Sequence, residues 1–134
     1  MGKINKLAVY TMVLVYLINN EESYVDAVKK RLNSAKEVIL SCMGMGEILA
    51  GFALKNDKNG KLKFLAFIET YRKLSVVGFG KQEALIFAEL RAKYPSLKPP
   101  DAIHLATAIS AKADVFLSND KKLMGITELP VLIL

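Results

Sequence analysis

Three carboxylates stand apart from the other acids by their surroundings. Glu47 follows the small, apolar run Ser41-Cys42-Met43-Gly44-Met45-Gly46 and precedes Ile48-Leu49-Ala50. Asp101 follows Pro99-Pro100 and opens a stretch containing Ala102, Ile103, Leu105, Ala106, Ala108 and Ile109, and Asp120 closes Phe116-Leu117-Ser118-Asn119. Most of the remaining acids, such as Glu21, Glu22, Asp26 and Glu37, fall on polar faces or turns where solvation accounts for them. Carboxylates drawn together repel, and burying them costs several kcal/mol each unless a cation or hydrogen bonds compensate. A converging set therefore suits Mg2+ or Mn2+, hard ions that prefer oxygen ligands and keep some of their waters. If the three do not converge, each has a plainer role, Asp101 as a helix N-terminal residue and Asp120 as a cap.

The elements that must position them alternate in period. Leu7 to Tyr10 reads as a buried strand running into a short helical turn, Val13 to Ile18. Ser23 with Asp26 three residues on predicts a capped helix whose apolar face is Tyr24, Ala27, Val28 and Leu32. Val38 to Leu40 is a second strand bounded by Ser41, Gly46 to Leu54 a helix, and Asn56 to Gly60 an exposed turn. Lys61 to Lys73 is a helix with Phe64, Phe67, Ile68 and Tyr71 inward, followed by a strand, Leu74 to Phe79, and a helix, Lys81 to Tyr94. Pro99 and Pro100 then start a helix, Asp101 to Ala113, and Val115 to Leu117 and Val131 to Ile133 complete the strands. Strands separated by helices predict a parallel sheet of about five strands between two helical layers, a three-layer α/β/α fold. Function in such sheets collects at the carboxyl ends of the strands, which is where Glu47, Asp101 and Asp120 fall.

Composition narrows the classes. A chain of 134 residues has the size of one domain, so residues 1–134 are expected to form a single unit. Its 52% hydrophobic content suits a sheet covered on both faces. The longest apolar run, Leu7 to Ile18, is shorter than the roughly 20 residues a membrane helix needs. The Asn19-Asn20-Glu21-Glu22 that follows does not suit signal cleavage, so a cytoplasmic protein without membrane association is expected. Cys42 is the only cysteine, which excludes an internal disulfide and a thiolate metal cluster; it is read as a small buried residue. The net charge of +6 agrees with a polyanionic partner, although solvated helix faces explain the lysine clusters equally well.

The stretches VLVYL (13–17), Ser41 with Glu47 and Gly51, ELRAKYPSLKPPDAIHLATAISAKADVFLSNDKKL (89–123) and the closing strand resemble the PIN domain family. This is the metal-dependent ribonuclease fold used by the toxin halves of many VapC-like toxin-antitoxin pairs. The resemblance spans nearly the whole chain and is most specific from Pro100 to Leu123. It implies a Mg2+ or Mn2+ dependent endoribonuclease that hydrolyses RNA phosphodiesters through a metal-bound water. It assigns Glu47, Asp101 and Asp120 as catalytic and metal-binding positions, with Thr11, Ser41 and Asn119 in support. It further implies a homodimer and an antitoxin protein as partners.

The chain departs from the family at one place. Asp-Thr-Asn or Asp-Thr-Ser usually precedes a segment like Val-Leu-Val-Tyr-Leu, whereas this chain has Tyr10-Thr11-Met12 and no acid before Glu21. A phenol is protonated near neutral pH and is a poor Mg2+ ligand. Impaired catalysis follows as an expectation, and the competing function is a catalytically inactive PIN-like protein that binds RNA or a protein partner. A receiver-type signalling domain would need paired acids after the first strand, where Tyr10 stands. His104, one turn beyond Asp101 on an apolar helix, is read as a satisfied interior residue outside the catalytic set.

Overall fold

The computed structural model of the chain describes residues 3–134. Five parallel strands, β1 (Ile4–Val9), β2 (Ala35–Ser41), β3 (Leu74–Val77), β4 (Val115–Ser118) and β5 (Val131–Ile133), pair in the order β3-β2-β1-β4-β5. The central strands carry apolar residues on both faces. Leu7, Val9, Val38, Leu40 and Leu117 point into one core, while Ala8, Ile39 and Phe116 point into the other. This strict alternation is the period-two geometry of a strand buried on both sides.

The first core is closed by α1 (Thr11–Ile18), α2 (Val25–Ser34), α3 (Cys42–Leu54) and α4 (Lys58–Thr70), which contribute Val13, Leu14, Val28, Leu32, Ile48, Phe52 and Phe64. The second is closed by α5 (Lys81–Lys93), α6 (Pro99–Ser110) and a short 3-10 helix, Lys121–Gly125, through Leu90, Ala102, Leu105, Ala106 and Leu123. The three-layer α/β/α arrangement with about five parallel strands is as the sequence predicts. Phe64 is fully buried, and Phe67, Ile68 and Tyr71 pack around the first core as the spacing requires.

Four local expectations are corrected. Ser23 does not cap α2, which opens at Val25 with Tyr24 at the N-cap and no side-chain cap bond. Helix α3 opens at Cys42 rather than Gly46, because the Ser41 hydroxyl accepts the Gly44 N–H and starts the helix directly off β2. Cys42 is therefore the first residue outside the strand, and it is exposed rather than buried. Helix α4 opens at Lys58 because Asp57 caps it through the Gly60 N–H, after Asn56 has turned the chain at φ 53°.

The order of the sheet places β1 between β2 and β4, so connections leave it in both directions. This reversal opens a crevice at the carboxyl ends of those strands. Ser41 is the last residue of β2, Tyr10 follows β1 directly, and Asp120 lies two residues past β4. No described helix is long and apolar enough to cross a membrane.

Candidate functional site

A chain of hydrogen bonds ties β2, α6, α3 and α1 together at the crevice. Ser41, at the end of β2, accepts the Gly44 N–H at 2.9 Å and lies 2.6 Å from His104 Nδ1 on α6. The other ring nitrogen, Nε2, lies 2.7 Å from Glu47 Oε1 on α3. The same Glu47 oxygen accepts the Thr11 hydroxyl at 2.7 Å from the start of α1. Glu47 Oε1 can only accept, so Nε2 carries the hydrogen and donates to it beside the Thr11 hydroxyl, and in the neutral ring Nδ1 then accepts the Ser41 proton. His104 is 3% exposed, so its ring is a structural tie between α6 and α3. The chain closes so tightly at Gly44 because a Cβ there would stand 2.8 Å from Leu40 Cδ1 and 3.4 Å from the Ser41 and Thr11 hydroxyls.

Tyr10 stands beside this chain. Its backbone N–H donates to the Leu117 carbonyl of β4, and its own carbonyl accepts the Val13 N–H, so residue 10 is fixed to the sheet and to α1 at once. The ring meets His104 edge to face at 5.5 Å and packs against both cores. Burial raises the phenol pKa, and the charges of Asp101, Glu47 and Asp120 raise it further. The ring is therefore a neutral group at the point where the fields of the three carboxylates overlap.

Asp101 lies in the first turn of α6 behind Pro99 and Pro100. Its pKa is raised by burial, lowered in part by His104, and raised by the Asp120 and Glu47 charges. Asp120 Oδ1 accepts the Lys122 N–H at 3.0 Å, which caps the 3-10 helix, and the Asp120 N–H donates to Ser118 Oγ. Asn119 donates to the Tyr16 hydroxyl at 2.7 Å, and Tyr16 stacks on Tyr24 at 4.2 Å. Asn119 thus holds α1 instead of a carboxylate.

The structure brings Asp101 and Asp120 together on the wall of a groove of about 490 Å3, while Glu47 and Thr11 face a neighbouring cavity of about 190 Å3. Among the described residues, no group of three His, Cys, Asp or Glu side chains could hold a metal ion. Glu47 Oε1 is taken by two donors, Asp120 Oδ1 by a backbone N–H, and Tyr10 offers a neutral phenol in their midst. As they stand, these residues do not fit a divalent ion.

Sequence reasoning missed that His104 holds Glu47, since the two are 57 positions apart and meet only through the packing of α6 on α3. It also passed over Lys98 and Tyr94, which line the groove beside Asp101. A lysine directly before Pro-Pro-Asp was the available signal.

Comparison with known proteins gives a consistent result. VapBC2 from Rickettsia felis, solved with a DNA fragment of its promoter, superposes with a TM-score of 0.78 at 19% identity, covering 96% of this chain and 98% of that one. FitAcB from Neisseria gonorrhoeae gives 0.72 at 18%, covering 93% and 95%. Mycobacterium tuberculosis VapC20, a Sarcin-Ricin loop cleaving toxin, gives 0.70 at 16%, covering 92% and 98%. No curated protein matches the chain in sequence. The PIN domain model matches residues 9–128, so the chain belongs to the PIN domain family.

Proposed function

We propose that this chain is a toxin-type PIN protein of a toxin-antitoxin pair that is directed at RNA and in which hydrolysis is disabled at its first position. The observation that carries this reading is Tyr10, a neutral ring fixed among Glu47, Asp101 and Asp120 where a further carboxylate would complete a metal site. In a complete PIN site, Mg2+ or Mn2+ supplies an activated water and neutralises the phosphate. Here the chain's own groups satisfy the acids instead, through Thr11, His104 and the Lys122 N–H.

The RNA-directed part is supported by the net charge of +6 and by the likeness to a toxin described as cleaving the Sarcin-Ricin loop. An antitoxin-like partner is supported by the likeness to VapBC2 and to a toxin-antitoxin complex from Klebsiella pneumoniae. A groove of about 560 Å3 between α1, α2 and α4 suits such a partner, with Leu17, Ile18, Leu32 and Phe67 on its walls and Lys29 and Lys63 at its rim.

The test is cleavage of a labelled structured RNA by the purified protein in Mg2+, in Mn2+ and in EDTA. The expected result is no cleavage above the EDTA control for the native chain. Metal-dependent cleavage that Asp120→Ala abolishes would overturn the reading and restore a three-carboxylate ribonuclease.

A further inference from the structure

The cavity of about 190 Å3 that Glu47 and Thr11 face runs between one row of α1 and one row of α3. Thr11, Val15 and Asn19 on the first helix and Glu47, Gly51 and Lys55 on the second each recur every fourth residue, the spacing of a single helical face, so the two rows flank one channel. The Thr11–Glu47 hydrogen bond closes one end. At the other, the turn from α3 into α4 brings Lys55 and Asp57 to the mouth. Buried Ile48 and Phe52 line the middle, and a Cβ on Gly51 would meet nothing within 4 Å, so the missing side chain leaves the channel open.

The order of groups along the channel selects a ligand. Glu47 Oε1 is occupied by Thr11 and His104, whereas Oε2 accepts no hydrogen bond among the described residues. Asp57 gives Oδ1 to the Gly60 N–H and likewise keeps Oδ2. A cation therefore suits the closed end, an aliphatic stem the middle, and an ammonium beside a carboxylate the mouth, where Asp57 and Lys55 stand together. A fatty acid would set its carboxylate against Glu47 or Asp57, and a diamine would leave Lys55 unanswered. The run from Glu47 to Lys55 rises about 12 Å at about 1.5 Å per residue, and a contact of about 2.8 Å at each end leaves about 6 Å between the two nitrogens. At about 1.2 Å per bond of extended chain, that is a spacer of about four or five carbons. The volume, roughly six waters' share of the liquid, suits a molecule of that size and falls short of the roughly 300 Å3 at which drug-sized sites begin.

We propose that the channel between α1 and α3 binds a free basic α-amino acid of the lysine or ornithine type. Its side-chain ammonium meets Glu47, its stem lies along Gly51 between Val15 and Phe52, its α-ammonium meets Asp57 and its α-carboxylate meets Lys55. The two acids and one lysine leave the channel with one net negative charge, and such an amino acid carries one net positive charge. The assignment needs neither RNA nor a metal and stands apart from the groove that holds Asp101 and Asp120.

The experiment is isothermal titration of the native protein in EDTA at neutral pH with L-lysine and L-ornithine, beside three analogues that each lack one charge. Norleucine lacks the side-chain ammonium, Nα-acetyl-lysine the α-ammonium and cadaverine the carboxylate. Lysine or ornithine is expected to bind and norleucine not to. Asp57→Asn, which still caps α4, is expected to weaken lysine about tenfold and to leave Nα-acetyl-lysine unchanged. Lys55→Ala, at an exposed position, is expected to weaken lysine about two- to fivefold and to strengthen cadaverine. Gly51→Leu fills the channel without a clash at its Cβ and is expected to abolish binding while its ligand-free melt is no lower than native. A native protein that binds neither lysine nor ornithine up to millimolar concentration overturns the site, and a folded Gly51→Leu protein that binds as native overturns its location. Norleucine binding as well as lysine overturns the contact with Glu47. Cadaverine binding as well as lysine to the native protein overturns the amino acid in favour of a diamine, and Nα-acetyl-lysine doing so overturns it in favour of a lysine at the end of a peptide.

Discussion

Replacing Tyr10 by Asp tests the site at the residue that decides it. Residue 10 is the N-cap of α1, at φ −74° and ψ 154°, and the tyrosine makes no side-chain cap bond. An aspartate there gains a cap worth about 1 kcal/mol. It loses the edge-to-face contact with His104, worth about 0.5–1.5 kcal/mol, and the packing of the ring against both cores, losses that Tyr10→Asn shares in full. What remains is a fourth carboxylate among three whose charges already raise the Tyr10 phenol. Like charges at 4 Å cost about 4 kcal/mol in an effective dielectric near 20, and the cost falls inversely with distance. Tyr10→Asp in EDTA is therefore expected to be about 2–4 kcal/mol less stable than Tyr10→Asn.

An ion bound at 100 times its Kd returns about 2.7 kcal/mol, which for a domain of this size is a rise in Tm of roughly 8–14 °C. The assay is a thermal melt with and without Mn2+, backed by isothermal titration. Tyr10→Asn is the control, since it caps α1 equally and loses the same ring but adds no charge, and it is expected to show the packing loss without the further charge penalty and without the Mn2+ response. A native protein that Mn2+ stabilises as strongly as the variant would refute the reasoning, as would a Tyr10→Asp protein indifferent to the ion.

Three further outcomes follow from the packing. His104→Ala removes a buried ring and leaves the Ser41 hydroxyl and Glu47 without their partner, so a loss of about 2–4 kcal/mol is expected, read as a lower urea midpoint with unchanged slope. Gly60→Ala would place its Cβ 2.4 Å from Phe52 Cε1 and 2.7 Å from the capping Asp57 carboxylate, and a loss of about 1–3 kcal/mol is expected in the same measurement. The Tyr94 hydroxyl, with Lys93, lowers the Glu128 carboxyl from 4.5 to about 2. A depressed acid lends stability above its free value and loses it as pH falls. The native advantage over Glu128→Gln is therefore expected to be complete above about pH 4.5 and to vanish near pH 2 in acid melts.

The sheet was legible because its central strands are apolar on both faces. Runs such as Leu7-Ala8-Val9 and Val38-Ile39-Leu40 admit few other placements, and the intervening helices force parallel pairing. Helix starts were less legible, because a start depends on which polar side chain reaches which N–H. Ser23 had the pattern of a cap without the bond, whereas Ser41 had the bond in a run that its glycines disguised. The positions of Glu47, Asp101 and Asp120 at the strand ends were readable from spacing. Where their oxygens go was not, because the competing donors come from remote segments. Thr11 and His104 reach Glu47 from 36 and 57 positions away.

Position 10 governs the site for a reason that lies in the backbone. It follows β1, the central strand, and its N–H and carbonyl are fixed to β4 and α1, so any side chain there emerges between the ends of β2 and β4. An acidic residue at that point leaves an excess of negative charge that a cation relieves. A neutral ring removes the excess, and the chain's own donors then meet Glu47 through two hydrogen bonds and Asp120 through a backbone N–H, while burial raises the Asp101 pKa. Hydrogen bonds supplied by the chain thus replace the stabilisation a divalent ion would provide. On the proposed reading, a melt of the native protein in EDTA is expected to superimpose on one in Mg2+, and a higher Tm in Mg2+ would refute it.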